Sequence, residues 1–341
     1  MAANNGDASS REPQVTLAEI AALVAEFPGP DLEAATKVLE HDRLLAKPRG
    51  GLGKLEPLVE WLAKWQGRHP PKVDRPAVCV FAGNHGVTAR GASTRSLAAT
   101  ANRVAGYGAG LGAINAVAGA LDADFRVFEL ALEAPTADFT EGLAMNDSDC
   151  AKAMAYGMMA VEQGVDVIVL GQVGVGGDVS AAALLAALHG GAPEDWVKGD
   201  KRTEKAAAVA AGLALHQPLI DGPFDVLRRL GGFEIAAIAG AIIAARMGRV
   251  PVVLDGLIPG AAAAVVAAQM PGGADHCILG HGAAMGPDRK LAEVLNQSPL
   301  LSLDLGIGEA VGATIATHLL RAAARCHADM GTRAQRNALT A

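Results

Sequence analysis

The chain has 341 residues, enough for two domains or for one large α/β domain with an accessory part. Hydrophobic residues make up 51% and charged residues 19%, which suits a large core and excludes a disordered chain. A net charge of -7 and an aromatic content of 4% argue against a polyanion binder or a base-stacking nucleic-acid surface, while leaving room for a local anion site built from backbone N–H groups.

In chain order, residues 1–13 are polar, lack the apolar core of a signal peptide and read as disordered. Apolar positions then recur at helical spacing over 16–27 and 31–45, and "KPRGGLGKLEPLVEWLAKW" is a glycine-rich turn entering a helix that ends near Trp65. "GRHPPKVDRP" is the best boundary before a sheet domain. Six apolar runs of strand length follow, at 77–82, 125–132, 166–171, 250–255, 275–280 and 300–305, separated by Ala-rich segments of helical length. That alternation predicts an α/β fold with a mostly parallel sheet of about six strands and helices on both faces. Ligands of such sheets bind beyond the C-terminal strand ends, which here read "GNHGV", "GQVGVGGD", "DGL", "GHGAA" and "GIGEA". The segment 190–209 is charged, either a plain surface loop or one that closes on a ligand.

Cys79, Cys150, Cys277 and Cys326 are scattered without a CxxC pair and read as buried thiols of a reducing compartment. No uninterrupted apolar run reaches the roughly 18 residues of a membrane helix. The expectation is a cytoplasmic protein that binds neither membrane nor nucleic acid.

The strand ends carry the chemistry. In "GQVGVGGDVS", Gly174, Gly176 and Gly177 could let backbone N–H groups approach a phosphate at a helix N-terminus. The dinucleotide and Walker spacings are absent, and a tight turn capped by Asp178 explains the stretch equally. Asn84 and His85 end another strand, as ligand contacts or as hydrogen-bonded structural residues. His276 and His281 are five apart, without the helical spacing or the further ligands of a metal site. Lys205, on a helix after the charged loop, reaches a phosphate or is solvated.

Glu309 is the sharpest feature. A helix beginning near Gly308 puts it on one face with Gly312, Ala313, Ala316 and Leu320, and puts Thr314, His318, Arg321 and Arg325 opposite. A carboxylate on the buried face is either an acid favoured by the helix dipole or a general base kept basic by apolar surroundings.

Several segments together resemble one family: "LLAKPRGGLGKLE" (44–56), "FAGNHGV" (81–87), the 171–183 turn, "VLRRLGGFEIAAIAGAIIAARMGRVPVVLDGL" (226–257), "DHCILGH" (275–281) and "PLLSLDLGIGEAVGATIATHLLRAAARCHADM" (299–330). The chain is similar, over about 16–332, to nicotinate-nucleotide–dimethylbenzimidazole phosphoribosyltransferases of cobalamin lower-ligand synthesis. The resemblance implies transfer of ribose 5-phosphate from nicotinate mononucleotide to 5,6-dimethylbenzimidazole, giving α-ribazole 5'-phosphate and nicotinate. It implies a Rossmann-like α/β domain (71–308), a small helical domain made from both chain ends (14–70 plus 309–341), a homodimer, and no metal or cofactor. Glu309, in "IGEA", matches the family's general base. The resemblance places Ser93, Gly171, Gln172, Val173, Gly174, Gly176, Lys205, Asp255, His281 and Ile307 at the substrates, with Asn84 and His85. Its turn "GEMGIGNTT" reads here with Gln172, Gly177, Asp178 and Val179 at changed positions, and "GVSAYPxEVT" reads "GASTRSLAAT". These departures leave open an alternative: a catalytically weak or altered-specificity relative that binds a nucleotide or azole base.

Overall fold

Period-two alternation of apolar side chains builds the sheet. Along the first strand, Ala77, Cys79 and Phe81 enter one core cluster while Val78, Val80 and Ala82 enter another. Ile168 and Leu170 against Val167 and Val169, and Val252 and Leu254 against Val253, divide in the same way. A strand that buries both faces needs helices on both, and parallel pairing through helical crossovers supplies them. The computed structural model describes residues 15–283 and 285–339, so the expectation of disorder over 1–13 lies outside the described residues.

The strands are β1 (Pro76–Asn84), β2 (Asp124–Glu129), β3 (Val167–Val175), β4 (Val252–Asp255) and β5 (Cys277–His281), all parallel, in the order β2-β1-β3-β4-β5. The order reverses between β1 and β3, which makes their C-terminal ends the switch point where a ligand crevice forms. One face is covered by helices that include Asp147–Met158, Gly177–His189, Phe233–Met247 and Leu257–Gln269. Leu55–Gln66, Ala113–Ala120 and Val311–Asp329 cover the other. Helices Phe233–Met247 and Leu257–Gln269 are buried nearly all round, which their Ala-rich sequences allow because small side chains let elements approach closely.

Among the described residues five strands form where six were expected. Residues 300–305 make one isolated bridge, Leu301 with His281, and then leave the sheet. The Leu303 N–H donates to the His281 ring nitrogen (3.3 Å) instead of to a strand, and Asp304 turns to φ 53°. In the opposite sense β3 is longer than expected. Gly171 to Val175 pair with Val80 to Asn84, so most of the glycine-rich "turn" is strand.

The last long helix starts at Val311, not near Gly308, because Glu309 and Ala310 both take positive φ, 67° and 69°. Glu309 therefore sits in the turn ahead of the helix and not on its face. Thr314, expected on the polar side, is fully buried, because the helix lies between β3–β5 and the helices Leu55–Gln66 and Ala113–Ala120.

Candidate active site

Beyond the C-terminal ends of β3, β4 and β5 lie two adjoining hollows. One, of about 520 Å³, is bordered by Ser93, Arg95, Val173, Gly174, Gly176 and Lys205. The other, of about 230 Å³, has Leu257, Pro259, Leu305 and Ile307 as apolar walls, with Asp255 and His281 at its edge. Gln172, Asp178, Lys198, Ile258 and Glu309 border both. A larger hollow of about 830 Å³ lies elsewhere, around Arg228 and Arg229. Its arginines are already paired with Asp147 and Asp225, so size does not locate the chemistry.

Glu309 is 7% exposed and joins the two hollows. Its turn rests on Gly171 of β3, where a Cβ would collide with the Ala310 backbone. Oε1 pairs with Arg103 Nε at 3.3 Å, whereas Oε2 is buried without a hydrogen-bond partner among the described residues. The buried Tyr107 hydroxyl lies beside this carboxylate, and burial, then its contact with Glu309, push its pKa up. An orphaned buried carboxylate oxygen is costly unless something comes to use it.

The polar hollow sits at the start of a helix and is bordered by two lysines. Gly176 (φ 94°) turns the chain into the helix Gly177–His189, whose first N–H groups are unsatisfied by any side-chain cap. Asp178 is not that cap. It lies in the first turn and pairs with Lys205 Nζ at 2.7 Å. Lys205, on the helix Arg202–His216, also donates to the Lys198 carbonyl (3.1 Å), and Lys198 pairs with the buried Asp288. Both lysines are thus balanced by acids.

Other expected residues lie behind the hollows. Asn84 Nδ2 donates to the carbonyls of Leu97 (3.2 Å) and Leu132 (3.1 Å), and its Oδ1 accepts from Thr100 (2.6 Å), so it ties the loops after β1 and β2. His85 Nε2 donates to Glu234 Oε1 (2.6 Å) and Nδ1 shares a hydrogen bond with Ser180 Oγ (2.8 Å), all three fully or almost fully buried. Gln172 Nε2 donates to the same Glu234 oxygen (3.3 Å), which connects this interior network to the cleft. Ser93 Oγ accepts from the Arg95 N–H (3.0 Å) and stays at the border of the polar hollow. His276 does not join His281: its Nε2–H donates to the Ile242 carbonyl (2.9 Å) and burial pushes its pKa down to about 3. Among the described residues no three His, Cys, Asp or Glu side chains are arranged to hold a metal ion.

Sequence reasoning missed Arg103, Tyr107, Lys198 and Asp288. Only Lys198 carried a signal, as part of the charged segment after residue 190. Arg103 and Tyr107 meet Glu309 from a distant part of the chain, and no local motif marks them.

Residues 27–337 match a family model described as Phosphoribosyltransferase. The chain is 47% identical over 316 residues to the nicotinate-nucleotide–dimethylbenzimidazole phosphoribosyltransferase of Brucella canis, covering 91% of this chain and 93% of that protein. The Brucella anthropi protein of the same name is 46% identical over the same span. The fold superposes on the crystal structure of the phosphoribosyltransferase of that name from Thermus thermophilus with a TM-score of 0.84, at 34% identity, over 90% of this chain and 98% of that one.

Proposed function

Because the chain belongs to the nicotinate-nucleotide–dimethylbenzimidazole phosphoribosyltransferase family, we propose that Glu309 is the general base of its phosphoribosyl transfer. The enzyme carries ribose 5-phosphate from nicotinate mononucleotide to 5,6-dimethylbenzimidazole, in the synthesis of the lower ligand of cobalamin. The observation that carries the role of Glu309 is its carboxylate, buried where the polar and apolar hollows meet, with Oε2 unpartnered among the described residues.

The chemistry needs one base. In nicotinate mononucleotide the leaving ring is a pyridinium. When its bond to C1' breaks, the electron pair returns to the ring nitrogen and nicotinate departs without an acid. The incoming azole nitrogen forms the new bond to C1' from the opposite face, giving α-ribazole 5'-phosphate. The other azole nitrogen loses its proton, which passes to the Glu309 carboxylate. This differs from glycoside hydrolysis, where two carboxylates divide the acid and base work.

In this reading the donor phosphate sits against the N–H groups at Gly176–Gly177 and the ammonium groups of Lys205 and Lys198. The dimethylbenzene ring lies among Leu257, Ile258, Leu305 and Ile307. Gln172, Val173, Gly174, Ser93 and His281 border the substrates; Asn84, His85 and Gly171 support them from beneath. The protein is a cytoplasmic homodimer in this proposal, with segments 14–70 and 309–341 as its smaller helical unit. No metal or cofactor enters the scheme.

Liquid chromatography with mass spectrometry on nicotinate mononucleotide and 5,6-dimethylbenzimidazole tests it. Nicotinate and α-ribazole 5'-phosphate should form with the wild type and not with Glu309→Ala. Equal product from both would remove Glu309 from the mechanism. One observation favours a second reading, altered donor specificity: Asp178 and Asp288 already occupy the two lysines, so a donor phosphate must compete for them. Turnover that appears only when the nucleotide donor is varied would support that reading.

A further inference from the structure

The turn that carries Glu309 is held from below by a second buried acid. Glu309 and Ala310 are consecutive non-glycine residues in the left-handed region, a conformation that persists only where the surroundings over-determine it. The helix they precede does not supply that support itself, because its cap residue, Ala310, offers no side-chain hydrogen bond to the first turn. The support comes from β4. Asp255, 7% exposed, accepts the Ala313 N–H on Oδ1 at 2.9 Å, and the Ala310 N–H also faces its carboxylate. Its Oδ2 is buried without a partner among the described residues.

We propose that Asp255 is the positioning residue of the catalytic base: it caps the helix Val311–Asp329 from the neighbouring strand and so holds the Glu309–Ala310 turn in the conformation that places the Glu309 carboxylate where the two hollows meet. This rests on the reading of Glu309 as the base.

The surroundings of Asp255 make the role pH-dependent. Glu309 and Asp288 are the acids that face it, His281 lies across Gly312, and Lys198 is drawn to Asp288. Burial, and then those two carboxylates, outweigh the two N–H donors and push the Asp255 pKa up to about 7. Below that pH a neutral carboxyl carries its proton on Oδ2 and still accepts on Oδ1. Above it a second negative charge lies beneath the base.

The test compares wild type, Asp255→Ala, Asp255→Asn and Glu309→Ala with nicotinate mononucleotide and 5,6-dimethylbenzimidazole, from about pH 5 to about pH 9. Asp255→Ala should lower kcat on the order of 100-fold, as for a group misplaced by about 1 Å, with donor KM within about threefold. Asp255→Asn keeps the acceptor oxygen, so it should retain most of kcat on the acidic side and lose the ionisation near pH 7. Hydrogen exchange supplies a readout independent of turnover: protection of the 310–313 amides should fall in Asp255→Ala and survive in Asp255→Asn. A kcat within about threefold of wild type in Asp255→Ala, a raised KM at unchanged kcat, or unaltered exchange would overturn the proposal. If Asp255→Ala does not fold, the Asp255→Asn profile decides: an unchanged ionisation near pH 7 overturns it and its loss supports it. An inactive wild type would sink the transfer reading instead, while the exchange data still judge the cap.

Discussion

Arg103 Nε stands 3.3 Å from Glu309 Oε1, while Oε2 of the same carboxylate is buried on the side of the Tyr107 hydroxyl. One oxygen is held by a cation and the other lies beside a phenol. Arg103, on the helix Ala98–Gly108, is partly exposed, so the pair is worth more as an orientation device than as a source of stability. Arg103→Gln should lower kcat about tenfold with little change in either KM, because only the aim of the base is lost. Steady-state kinetics with both substrates varied would check this, and a change confined to donor KM would assign Arg103 to the phosphate instead.

Removing the base should abolish turnover without harming the fold. Glu309→Ala should cost roughly 100- to 10,000-fold in kcat, the usual range for a positioned general base. Because residue 309 sits at φ 67°, Glu309→Gly should be more stable than Glu309→Ala by about 1 kcal/mol. Urea titrations of the two variants provide the comparison, and equal midpoints would mean that the turn is not strained.

Asp178 competes with the donor for Lys205, which it contacts at 2.7 Å. Asp178→Asn should lower donor KM about two- to fivefold, in line with a partly exposed ion pair. An unchanged KM would leave Asp178 as a plain first-turn acid of its helix.

The buried chain Ser180–His85–Glu234 supports the glycine turn from inside. His85→Ala leaves the fully buried Glu234 carboxylate with only the 3.3 Å hydrogen bond from Gln172, its second oxygen being unpartnered among the described residues, and should destabilise the fold by about 3 kcal/mol. Ser180→Ala removes one neutral hydrogen bond and should cost about 1 kcal/mol. Chemical denaturation should rank the two variants in that order.

Asp255 sets a direction for stability against pH. Its folded pKa is raised from 3.8 to about 7, so the folded state binds the proton more tightly than the unfolded chain. The contribution is complete below pH 3.8 and is lost as pH rises to about 7. Stability should fall across that window with a limiting slope of about 1.4 kcal/mol per pH unit from this group. In Asp255→Asn that slope should vanish. A variant whose melting temperature follows the wild-type pH dependence would contradict the assignment.

The parallel α/β architecture was legible because strands buried on both faces must be continuous apolar runs, and "AVCVFA", "DVIVLG" and "VPVVLD" are such runs. "LLSLDL" is broken by Ser302 and Asp304 and leaves the sheet after one bridge, its Leu303 N–H donating to the His281 ring, a partner remote in sequence. Glu309 was legible as an anomaly, a lone acid among glycines and alanines. Its position was not, since the helix start depends on φ at Glu309 and Ala310, which the Gly171 backbone and the Asp255 cap impose from other strands.

By itself, then, the sequence determined the layered parallel fold, the strand ends that form the cleft, and the candidate base. These rest on hydrophobic period and on local residue type. Only the tertiary structure decided that Glu309 meets Arg103 and Tyr107, that Lys205 is balanced by Asp178, and that Asp255 underlies the base. Each of those depends on distances between elements far apart in the chain, and burial and electrostatics act through space rather than along the sequence.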